Sequence, residues 1–257
     1  MEIRPAVFLL LSLVLLWLGM LLGTRIREKR NEVIEHESKI ITVLEGSLLT
    51  LFGLLIGFTF SMAVSRYDTR KTLVLTEANA IGTTWLRSAL LAEPTRSEEQ
   101  NLLRQYVTER VRYLAVGHNK EGIEESLKRS SNLQARMWAT ASNYAADHKD
   151  VTTSLFLSTL NDSIDVSEQR TAANENRIPP EAWWMLLFVG FSATLLVGLD
   201  VRPKSWVLQL TLPIVLSGAL TLTMDMDSPR YGLIVITQPS MERVAKQMMS
   251  SLPQQAP

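Results

Sequence analysis

The chain contains no cysteine in 257 residues. That excludes a disulfide framework, a thiolate metal site and a cysteine nucleophile. Net charge is also missing. The 26 basic and 26 acidic side chains cancel, so no global basic field steers the protein to nucleic acid. Histidine is scarce: His36, His118 and His148 are all there are. No two of them are spaced i, i+4, and no Glu-x-x-His pair of the kind that builds a di-metal bundle site occurs. They read as lone surface histidines, and neither a metal nor a cofactor is expected. HExxH, GxGxxG, P-loop and GxSxG motifs are absent, so enzymatic chemistry is not expected either. What remains is 46% hydrophobic residues beside 20% charged ones, with a mean hydropathy of +0.09. Those figures are compatible only if the apolar residues are gathered into blocks.

Four such blocks are present. Residues 6–23, 47–64, 183–199 and 206–224 carry no charge. Eighteen helical residues reach about 27 Å, enough to cross a hydrocarbon core. The sequence therefore predicts four transmembrane helices. Arg25, Arg27, Lys29 and Arg30 follow the first block without a cleavage-site pattern, so it reads as an anchor rather than a signal peptide. Trp183, Trp184 and Trp206 mark block ends as interfacial aromatics. Lysine and arginine are shared almost evenly between the two sides, so the positive-inside rule leaves orientation open. The expected organisation is a transmembrane hairpin (1–64), an extramembrane helical domain (65–182), a second transmembrane hairpin (183–224) and a C-terminal tail (225–257).

Periodicity within 65–182 predicts four helices. The first continues out of span two to about Ala92 and ends before Pro94. The second is capped by Thr95 or Ser97 and ends at Gly117-His118-Asn119. The third, from about Gly122 to Ala146, places Ile123, Leu127, Gln134, Trp138, Ala141 and Ala145 on one face. The fourth runs from about Thr152 to Asn176 around Phe156, Leu160 and Ile164. In the tail, 233–237 reads as a short β-like run, and Ser240 as the cap of a last helix.

Span two carries the most information. At 100° per residue, Thr50, Leu54, Gly57, Phe58, Ser61 and Ser65 share one stripe, and bulky apolar residues fall mostly opposite. Two readings are open. Small residues such as Gly53 and Gly57 permit close helix packing, with hydroxyls bonding across. Alternatively the stripe lines a pore, with Leu54 and Phe58 as an apolar constriction. Arg66, Arg70 and Lys71 then read either as flanking charges or as a cationic mouth. Asp225 and Asp227 read as local anchors or as cation ligands, though two carboxylates are few for calcium.

The run from Gly57 to Leu91 resembles the bestrophin-like bacterial membrane proteins. It has a Gly-Phe late in span two, an Arg-aromatic pair (Arg66-Tyr67) shortly after, and a long helix leaving the membrane. The segment Glu77 to Gly82 (E-A-N-A-I-G) and the motif Asp225 to Gly232 (D-x-D-x-P-x-x-G) look like a branch of that group apart from the true bestrophins. The resemblance implies an all-α membrane protein with a helical bundle inserted between helices two and three. It also implies a homo-oligomer, pentameric like the true bestrophins, that passes small anions, and a bacterial inner membrane location with the helical domain cytoplasmic. Carried over by residue, it implies a neck at Phe58, Leu54 and Thr50, of which Thr50 departs from the family's apolar choice. The rival expectation is a non-conducting membrane scaffold or sensor whose helical domain binds a partner.

Overall fold

The computed structural model describes residues 4–200, 206–230 and 232–250. Every regular element among them is a helix: α1 (Pro5–Lys29), α2 (Asn31–Ser88), α3 (Thr95–Ala115), α4 (Lys120–Asp147), α5 (Val151–Glu175), α6 (Pro180–Asp200), α7 (Trp206–Asp227) and α8 (Pro239–Ser250). Three stretches contain a segment long and apolar enough to cross a membrane: Pro5–Lys29, Ile34–Ser88 and Val151–Asp200. The remaining apolar block, 206–224, lies within α7. The turn expected between the last two blocks, 201–205, falls outside the described residues, as do 251–257 at the end of the tail.

The chain divides into two compact units. The first comprises residues 1–67 and 177–235, the second 68–176 and 236–257. α2 contributes to both. Its 58 residues are one uninterrupted helix, so the second block and the helix after it are a single element. Residues 31–46, between the first two apolar blocks, belong to it too. Arg30 alone separates α1 from α2. No glycine or proline occurs from Thr24 to Glu45 to break the pattern.

In the first unit, α1 packs closely on α6 through glycine. A Cβ on Gly23 would strike the carbonyl oxygen of Leu195, and one on Gly198 the carbonyl of Met20. A Cβ on Gly19 would lie 2.6 Å from the Thr194 hydroxyl. Backbones this close need residues without side chains. The G-x-x-x-G that packs inside the chain is therefore Gly19/Gly23; nothing lies within 4 Å of a Cβ on Gly53 or Gly57. Gly198→Ala is accordingly expected to cost about 1–3 kcal/mol by overpacking. It should lower the melting temperature of detergent-solubilised protein, while Gly53→Ala should spare the fold. Trp183 is buried, edge-on to Phe8 with ring centroids 5.5 Å apart, whereas Trp184 and Trp206 are exposed.

The second unit is built on α3, α4, α5, α8 and the C-terminal part of α2. Its core holds Ala78, Ile81 and Trp85 of α2, Leu103, Tyr106 and Val107 of α3, and Phe156 and Leu160 of α5. Met241 and Met248 of α8 join it. Caps differ from expectation in two helices, α3 and α8. Neither Thr95 nor Ser97 caps α3; the Ser97 N–H instead donates to the Glu93 carboxylate at 3.2 Å. Asn119 and Asp150 cap α4 and α5 with their side chains. The inward stripe of α4 is Ser126, Ser130, Leu133, Met137 and Ala141, and Trp138 is 42% exposed. Two small serines hold inward positions, so a count of apolar residues alone selects a neighbouring face. Residues 233–237 form no strand. The Asp225 carboxylate accepts the N–H groups of Leu233 and Ile234, at 3.0 and 2.9 Å, where a neighbouring strand would have done so. The last helix starts at Pro239, a favoured first position, rather than after a Ser240 cap.

Candidate functional site on the exposed face of the second helix

Within the first unit, α2 rests on its neighbours by a narrow stripe. Phe52, Thr59 and Ala63 are buried there, at spacings of seven and four that keep them on one face. A Cβ on Gly190 of α6 would meet both Phe52 and Leu16 of α1 at 3.0 to 3.1 Å. The Thr59 hydroxyl donates to the Leu55 carbonyl at 2.7 Å, which satisfies a buried polar group locally.

The stripe singled out by sequence is the face left over. Thr50, Leu54, Gly57, Phe58, Ser61 and Ser65 are all exposed. Leu54 is 55% and Phe58 62% exposed, large values for apolar side chains one helical turn apart. Thr50 turns its hydroxyl back to the Gly46 carbonyl at 2.7 Å. The sixfold run of exposed positions is therefore available to water, to lipid or to another copy of the chain. Packing within the chain does not consume it.

The three cations do not act alike. Arg66 lies beside Asp227, with Nη1 3.6 Å from Oδ1. Arg70 is 1% exposed. Its Nε donates to the Ala173 carbonyl at 3.1 Å and its Nη2 to that of Asn176 at 3.4 Å. It thus satisfies carbonyls left open at the end of α5, where a cation is also favoured by the helix dipole. Lys71 is exposed.

Asp225 and Asp227 are both buried. Asp225 holds the turn after α7 through the two amides described above. Gly232 has φ +112°, and a Cβ there would overlap the Asp225 carboxylate. The glycine of the D-x-D-x-P-x-x-G motif is thus required twice, for backbone conformation and for space. Asp227 accepts from the Ile178 N–H at 3.2 Å and from Arg177 Nε at 3.2 Å. Asp225 is thus engaged by backbone amides, and Asp227 by a backbone amide and by arginine. No group of three or more metal-ligating side chains occurs among the described residues.

The E-A-N-A-I-G segment lies in the second unit. Ala78 and Ile81 enter the core, and Gly82 lies under Val244 of α8. Glu77 is fully buried. One of its oxygens accepts from Arg110 Nε, the other from Arg170 Nη1 at 2.7 Å. Arg170 also donates to Gln238 Oε1 at 3.2 Å, and Gln238 in turn donates to the Val111 carbonyl at 2.7 Å. Sequence reasoning missed both arginines. Their buried partner lies 33 and 93 residues away, and no local spacing reports such a pairing.

The family described as Bestrophin-like domain matches residues 6–241. Among solved structures, a bacterial bestrophin homolog from Klebsiella pneumoniae with a tryptophan-to-alanine mutation superposes with a TM-score of 0.68 at 11% identity, covering 97% of this chain and 98% of that one. A tyrosine-to-alanine variant from the same organism gives 0.63 at 12% identity, covering 94% and 98%. At these identities the likeness is one of fold. No curated protein matches the chain.

Proposed function

Because the chain belongs to the bestrophin-like family, we propose that it forms an oligomeric membrane pore for small anions, with α2 from each copy lining the path. Four spans, 6–23, 47–64, 183–199 and 206–224, cross the bacterial inner membrane, and the helical domain lies in the cytoplasm. Phe58, Leu54 and Thr50 form the neck, Gly57, Ser61 and Ser65 continue the lining, and a ring of five copies closes it. The observation that carries this reading is the exposed stripe. An apolar and hydroxyl-bearing helix face left uncovered by its own chain, with glycines that touch nothing inside it, suits a surface shared by copies around water. Arg66 and Arg70 serve as anchors of the fold, so Lys71 is the remaining cation for a charged mouth.

The test begins with oligomeric state in nanodiscs, by native mass spectrometry, and continues with anion flux in liposomes. A ring that passes chloride supports the pore. Combined Phe58→Ala and Leu54→Ala should raise flux several-fold, because an apolar constriction resists wetting. The absence of native cysteine makes Ser61→Cys a clean probe. A water-soluble thiol reagent should reach it and change the flux. A monomer without current, holding one stoichiometric partner through its helical domain, would replace the pore by the scaffold reading.

A further inference from the structure

The second unit carries a cleft that the pore does not use. It has a volume of about 650 Å³ and runs between α3 and α4 beside the end of α8. Arg104, Arg129 and Arg136 line it with one carboxylate, Glu109, and the amides of Asn101, Gln105 and Asn132. Leu133 and Met249 supply an apolar floor.

The three arginines differ in what neutralises them. Arg129 is paired with Glu125 and lies 3.5 Å from Glu109. Those same two acids also hold Arg112, at 3.6 and 3.7 Å. Arg104 has no acidic partner among the described residues. Its Nε donates to the Met248 carbonyl at 3.1 Å, and its guanidinium lies 4.8 Å from the centre of the Trp85 ring. Both contacts fix its plane and neither cancels its charge. Arg136 likewise has no acidic partner among the described residues and is exposed. Two uncancelled guanidinium groups therefore line one cleft, one of them held rigid. Guanidinium forks match the oxygens of phosphate, and charge-assisted bonds of this kind are the strong ones.

The geometry points to a binding site for a small phosphomonoester, its phosphate between Arg104 and Arg136 and its carbon body over Leu133 and Met249. Phosphate alone has no use for the apolar floor and binds more weakly than an ester that covers it. Because Arg104 also holds the carbonyl of Met248, occupancy steadies the end of α8. The site stands on the second unit alone, so it holds whether or not the protein conducts.

The test is calorimetry on the full chain in phosphatidylcholine nanodiscs, with phenyl phosphate and inorganic phosphate as probes. Saturable binding of phenyl phosphate, tighter than inorganic phosphate, is expected. Arg136→Gln, on an exposed side chain that folding does not need, should weaken it about tenfold. Arg104→Gln should do the same, and Arg129→Gln, already neutralised by two acids, should change it little. Hydrogen exchange across 239–250 should slow when phenyl phosphate binds. A parallel arm replaces part of the phosphatidylcholine with phosphatidic acid. Loss of phenyl phosphate binding in that arm identifies a lipid headgroup as the source of the phosphomonoester, and unchanged binding identifies a soluble one. The proposal is overturned if phenyl phosphate fails to saturate in neutral nanodiscs, or if Arg136→Gln and Arg104→Gln both leave its affinity intact.

Discussion

Glu77→Ala is expected to destabilise the second unit by about 3–5 kcal/mol, the cost of breaking a buried ion pair from one side. Glu77 is 0% exposed and Arg110 and Arg170 are each 1% exposed. Removing the carboxylate leaves two guanidinium groups facing each other out of water. Their other contacts cannot replace it. Arg110 reaches the Ser167 carbonyl only at 3.5 Å, and the Tyr113 ring lies 4.9 Å from Arg110 and 5.7 Å from Arg170. Glu77→Gln keeps an acceptor without the charge, so it should fall between wild type and alanine. The measurement is thermal unfolding followed by tryptophan fluorescence, with Trp85 in the affected core. Limited proteolysis adds a specific readout. Arg170 holds Gln238, so the alanine variant should be cleaved near the start of α8 well below its melting temperature. If the melting temperature and the cleavage rate both match wild type, the cluster contributes nothing to the unit.

That cluster also shows where sequence reasoning stops. The apolar blocks were legible because each is a run of consecutive residues without charge. The helices of the second unit were legible to within a few residues, because Pro94 and Gly117-His118-Asn119 act locally, while the Asp150 cap of α5 came only with the structure. Gly117 has φ +65°, and Asn119 accepts the Gly122 N–H in the first turn of α4. The exposed stripe of α2 was legible as a pattern, but a pattern cannot say which face is used. Phe52, Thr59 and Ala63 decide that by being buried, Phe52 beside Gly190 of α6. Charges were the least legible. Arg70, Arg110 and Arg170 look like three more solvated side chains in a neutral segment, yet all are buried. Each is satisfied by groups distant in sequence, and net neutrality conceals the pairing. The close α1–α6 crossing was missed for the same reason. Gly19 and Gly23 sit in an apolar run where glycine has no signature of its own until Gly198 is placed opposite.

Glu99→Gln is expected to stabilise the protein strongly at alkaline pH and hardly at all near pH 4.5. Glu99 lies in the second turn of α3, 0% exposed, and neither carboxylate oxygen has a hydrogen-bond partner among the described residues. Burial first, and the neighbouring Glu98 charge second, push its pKa up to about 8. The folded protein therefore holds this proton up to about pH 8, and the unfolded chain releases it near 4.5. Between those values the unfolded state binds fewer protons, so folding stability falls as pH rises, and above about pH 8 it falls no further. Glutamine has the same shape without the titration. By linkage the variant should gain on the order of 4 kcal/mol at about pH 9. The check is a series of melting temperatures from pH 4.5 to 9, with Glu98→Gln as control. The Glu99→Gln profile should be flatter than wild type and diverge from it steadily above pH 5. Glu98→Gln should shift the wild-type profile only slightly, because its charge is the lesser cause. Parallel profiles for Glu99→Gln and wild type would mean that another group carries whatever pH dependence the fold has, and that Glu99 is solvated in the native state.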